Sequence, residues 1–127
     1  MQTGRRLLAE IGLDPRGFVA PGYAYTQALR RELRSSFQWF AELRCVQFGQ
    51  RPRLRSPALC LGASTSLKRR LSPAYVRFAA ARNGNQLLRL DIHPADFDLS
   101  GHVATIEAVL TRARMHEPVT YDELLDY

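Results

Sequence analysis

Apolar and polar positions along the chain fall into short blocks whose period keeps changing. Near the N-terminus Leu7, Leu8 and Ile11 share one helical face behind Thr3, a capping residue, and Gly12 supplies a stop. RGFVAP, over 16–21, reads as a short strand ended by Pro21. Thr26 stands ahead of QALRRELRSS, where Leu29 and Leu33 recur four apart, so a second helix is predicted. FQWFAELRCVQF, over 37–48, is aromatic and β-prone and predicts one strand or a bent pair. QRPRLRS makes a polar turn, and PALCLGA, over 57–63, a buried strand.

From about Ser66 the pattern is helical again, but Ser72 and Pro73 break it. A serine cap followed by proline at the first helical position predicts a fresh helix start there, with Tyr75, Phe78 and Ala79 on its apolar face. LLRLDIHPAD, over 87–96, is a strand closed by Pro94. DLSGHVATIEAVLTRARM then sets Val103, Ile106, Leu110 and Ala113 on one helical face. In TYDELL, over 120–125, Thr120 and Glu123 have capping-box spacing and open a terminal helix. Alternation of this kind predicts an α/β fold with a largely parallel sheet, in a single domain over 1–127. In such folds functional groups gather at the carboxyl ends of strands.

Composition narrows the class. With 127 residues, 46% hydrophobic and 24% charged, the chain is globular rather than disordered. No apolar run approaches the roughly 20 residues that span a bilayer, so no membrane partner is expected. Arg5 and Arg6 precede apolar residues as in an export signal, yet Glu10 and Gly12 interrupt that run, and a cytoplasmic location is expected. Cys45 and Cys60 have no metal-type spacing and are expected as free thiols in apolar surroundings. Residues 1–70 hold 13 basic against 4 acidic side chains, and 71–127 hold 5 against 8. The runs RPRLR and LKRR in the basic part have the charge to meet phosphates. No aromatic-interleaved basic strand or helix-turn-helix accompanies them, so nucleic acid is not an expected partner.

Candidate chemistry collects after the 87–96 strand. Asp91 and His93 lie two apart and point to one face. With Asp96, Asp98 and His102 they form a carboxylate and imidazole cluster, of the type that binds divalent metals or runs acid–base chemistry. The spacing fits no standard ligand signature, and turn and capping roles are the commoner account of the same residues.

Four segments, GLDPRGFVAPGYAYTQALRRELR, LRSPALCLGASTSLKRRLS, LLRLDIHPADFDLSGHVATIEAVLTRA and EPVTYDELL, together carry a resemblance. In this order the chain resembles the C-terminal half of polysaccharide deacetylase-like proteins, in a branch of unknown function related to the NodB-type carbohydrate deacetylases. The resemblance implies part of a distorted, incomplete (β/α) barrel. It also implies metal-dependent hydrolysis of an acetamido group on a sugar, with a divalent metal, usually zinc, polarising the amide. By the same resemblance His93 is the catalytic general acid, Pro21 shapes a wall of the groove, and Tyr23 and Asp96 lie against the carbohydrate substrate.

The departures from the family pattern are as specific. Its aspartate pair and H-x-x-x-H metal motif have no counterpart, since the histidines are His93, His102 and His116 alone. No metal ligand is therefore assigned, and no zinc is expected for this chain by itself. Where the family motif carries an arginine that orients a carboxylate, this chain has Val19, with Arg16 nearby but out of register. The expectation is an inactive chain, either a fragment of a longer protein or a short one that self-associates or meets a partner chain over its open sheet. The alternative function is a non-catalytic binding or assembly module.

Overall fold

The chain's contacts gather around two centres. One unit runs up to Arg55 and takes in the stretch from Val119, and the other is Ser56–Pro118. The computed structural model describes residues 2–84 and 86–126.

In the first unit α1 (Gln2–Glu10) is followed by β1 (Gly17–Val19), α2 (Gln27–Ser36), β2 (Trp39–Ala41), β3 (Cys45–Phe48) and β4 (Leu54–Arg55). The sheet order is β1-β2-β3-β4, with β1 parallel to β2 and the later pairs antiparallel. Thr26 caps α2 as its sequence predicts, Oγ1 accepting the Leu29 amide at 3.1 Å. Leu33 then faces inward and is fully buried. Ala41, Val46 and Phe48 form a core that Trp39, Tyr121, Leu124 and Leu125 close. A Cβ built on Gly17 would lie 1.9 Å from Trp39 Cε2, so the indole sits where any larger residue would place its side chain. Trp39 is held there by Asp122, whose Oδ1 accepts Nε1–H at 2.7 Å, and by the Tyr121 ring at 4.5 Å.

The second unit is a βαβα run: β5 (Ala58–Cys60), α3 (Ser66–Arg82), β6 (Arg89–Asp91) and α4 (Ser100–Ala113). β5 and β6 are parallel, pairing Ala58 with Arg89, Leu59 with Leu90 and Cys60 with Asp91. The two helices pack on each other, and Leu59, Val76, Ala80 and Val109 make the core. At the amino ends of these strands Arg89 Nη1 donates to Ser56 O at 2.9 Å, and Ser56 Oγ donates to Leu87 O at 3.1 Å.

The α/β class thus holds, with four helices and two short sheets, but the four-stranded sheet is mixed, only the two-stranded one is wholly parallel, and no closed barrel forms among the described residues. The hairpin of β2 and β3 brings in antiparallel pairing, because a short link cannot make a parallel crossover. Local expectations are corrected as well. Thr3 lies inside α1 rather than capping it. α3 runs unbroken through Pro73 from a Thr65 cap, and Ser72 Oγ instead accepts the Gly62 amide at 2.9 Å. Val76 and Ala80 are buried, while Tyr75 and Phe78 are exposed. On α4 the inward face is His102, Thr105, Ile106 and Val109, leaving Leu110 outside. The terminal helix is a single 3-10 turn, Glu123–Leu125, although the Thr120–Glu123 capping box forms. Among the described residues no helix is long and apolar enough to cross a membrane.

Candidate functional site

Because β5 and β6 are parallel, their carboxyl ends emerge together and bring Cys60 beside Asp91. Cys60 Sγ donates to Asp91 Oδ2 at 3.6 Å. Burial, then the charge of Asp91 and this hydrogen bond, push the thiol up to about 11. At neutral pH it is protonated, and so neither a nucleophile nor a thiolate ligand.

Three residues past the end of β6 the chain turns at Pro94. His93 caps the resulting 3-10 turn, Pro94–Asp96, and the cap is reciprocal. His93 Nδ1 accepts the Ala95 amide at 3.3 Å, and Asp96 Oδ2 accepts the His93 amide at 2.8 Å. A ring nitrogen that accepts carries the lone pair, which assigns the His93 proton to Nε2. The His93 side chain is exposed.

Asp96 is 1% exposed, and its second oxygen is also engaged: Oδ1 lies 2.9 Å from Nδ1 of His102, itself 1% exposed. The carboxylate identifies Nδ1 as the protonated nitrogen of His102. His102 Nε2 is buried without a hydrogen-bond partner among the described residues. The result is a buried carboxylate–imidazole pair whose carboxylate also fixes the loop that presents His93.

Of the four site residues expected from sequence, His93 and Asp96 are joined in the second unit, while Pro21 and Tyr23 belong to the first. Asp96 is enclosed rather than open to a substrate. Pro21 is exposed, and Tyr23 takes a left-handed backbone, φ 55°, in the 3-10 turn Pro21–Tyr23. Asp91 turns to Cys60 instead of joining the His93 cluster, and Asp98 stays on the surface. Val19 is exposed at the end of β1. Arg16 is spent within the first unit: Nε and Nη2 donate to Gln38 Oε1 at 2.9 and 2.7 Å, and Nη1 lies 3.6 Å from Asp122 Oδ2.

A zinc ion does not fit these donors. Among the described residues no group of three or more His, Cys, Asp or Glu is placed to hold a metal. Cys45 and Cys60 form no disulfide, as expected, but Cys60 meets a carboxylate rather than wholly apolar surroundings. Sequence reading missed the Cys60–Asp91 contact, which no local pattern announces. It grouped Asp96 with His102 but not as a buried pair. The signal was present, since His102 shares the helical phase of Ile106 and Val109. Compared with known protein families, characterised proteins and solved structures, the chain has no match.

Proposed function

We propose that this chain is a non-catalytic binding module on a deacetylase-like βαβα segment of an incomplete barrel, and that a second copy completes its sheet. One observation carries the reading. Asp96, the carboxylate expected against substrate, has both oxygens satisfied by the His93 amide and His102. A carboxylate bonded through each oxygen and 1% exposed positions a loop and has no open face for a ligand. The pairing of β5 and β6 supports assembly: the sheet has two strands among the described residues, and parallel strands are ordinarily flanked on both sides.

A working deacetylase is the second reading, favoured by the exposed His93 ring at the carboxyl end of a parallel strand. His93 would then serve as general acid to a metal-bearing segment supplied by another chain. Sedimentation velocity at micromolar concentration, run beside an acetate-release assay on N-acetylglucosamine oligomers with zinc, separates the two. The binding-module reading expects self-association and no acetate. A monomer at every concentration would remove it, and acetate release that is lost in His93→Ala would replace it with the enzymatic one.

A further inference from the structure

On α2, Gln27, Arg30, Arg31 and Arg34 fall at i, i+3, i+4 and i+7, along one side of the helix. Together with Arg53, from the turn ahead of β4, they line a surface cavity of about 440 Å³ in the first unit, and no carboxylate lines it. Like charges three and four apart on a helix repel. Only Arg30 is relieved: its Nε donates to Glu42 Oε1 at 2.8 Å, and its guanidinium lies 5.7 Å from the Tyr25 ring centre. Arg31, Arg34 and Arg53 have no ion pair among the described residues. Arg34 Nε is, in addition, buried without an acceptor there. An N–H cut off from both water and acceptors is held at a cost, which an oxyanion drawing on the same guanidinium offsets.

We propose that this cavity binds a small phosphate-bearing molecule of about diphosphate size. Planar guanidinium groups meet phosphate oxygens in pairs, which is why arginine rather than lysine suits the role. The volume exceeds what one phosphate needs and lies within the range of small-ligand clefts. Nucleic acid is the less favoured ligand, because no aromatic side chain lines the cavity to stack a base.

Calorimetric titration of the full chain with pyrophosphate at low ionic strength tests this. One-to-one binding is expected, with Arg31→Gln and Arg34→Gln each weakening it about tenfold or more, as loss of a charged hydrogen bond does. Arg34→Lys should weaken it too, although charge is kept. Arg6→Gln, which removes an equal charge from α1 outside the cavity lining, should change affinity less than about twofold. The side-chain amide signals of Gln27 should shift in the unmodified protein, a readout that needs no variant to fold. Failure of the folded protein to bind millimolar pyrophosphate would overturn the assignment. So would an equal loss in Arg6→Gln, or oligonucleotide binding with which pyrophosphate does not compete.

Discussion

Asp96 Oδ1 lies 2.9 Å from His102 Nδ1, with both side chains buried, while Asp96 Oδ2 holds the His93 amide at 2.8 Å. One carboxylate thereby ties the end of β6 to the first turn of α4. Asp96→Ala leaves the His102 N–H buried and unpaired and removes half of the capping box. The expected loss is about 2–4 kcal/mol, from a buried unsatisfied donor and a lost cap. Asp96→Asn, which keeps one acceptor oxygen, should lose less. Urea unfolding of both variants, compared at constant slope, checks the order.

His93→Ala removes an exposed cap acceptor and little else. A stability loss of about 0.5 kcal/mol is expected, at the low end for capping residues. Under the binding-module reading self-association is unchanged, and sedimentation velocity on the variant measures it.

Cys60 should resist alkylation at neutral pH. Its thiol is raised from 9.0 to about 11, so the iodoacetamide rate should climb only toward that upper value. The stability consequence has a definite sign. Between about pH 9 and 11 the unfolded chain has released this proton and the folded chain has not, so stability falls as pH rises through that window. Asp91→Asn removes the charge and should lower the alkylation midpoint without restoring the ordinary value, because burial is the larger cause.

Gly17→Ala forces its methyl group into the Trp39 ring, which a hydrogen bond to Asp122 and contact with Tyr121 hold in place. A loss of about 2 kcal/mol is expected from such overpacking. On a Trp39→Leu background the same change should cost clearly less, and a double-mutant cycle by chemical unfolding reads the coupling.

Elements whose signals are local were legible in the sequence. Thr26 with Leu29 and Leu33 gave α2 its start and its inward face, and Thr120 with Glu123 gave the last turn its capping box. Pro73 misled because an interior proline removes one bond and crowds the carbonyl four residues back, a cost of about 3 kcal/mol that no local signal shows to be offset. The flanking turns are held by Thr65 at one end and by the packing of Val76 and Ala80 at the other. The α4 face was misread by one position. Val103 and Leu110 look as apolar as Ile106 and Val109, and the one signal for the inward face was the helical phase that His102 shares with Ile106 and Val109. At the site, the contribution of His93 to a strand end was readable, whereas Cys60 meets Asp91 only through strand pairing across 31 residues. The separation into two cores was equally beyond reach, because it depends on the C-terminal stretch returning to Trp39.

The position of Trp39 also makes the protein its own probe. It is the single tryptophan of the chain, and it lies against Gly17 and Tyr121, wholly within the first unit. Its emission therefore reports the loss of these first-unit contacts, while α3 and α4 of the second unit contribute to helical ellipticity and carry no indole. Fluorescence and circular dichroism recorded on one sample thus follow different sets of residues. Coincident transitions would mark the halves as one cooperative system, and separated transitions would date the loss of each.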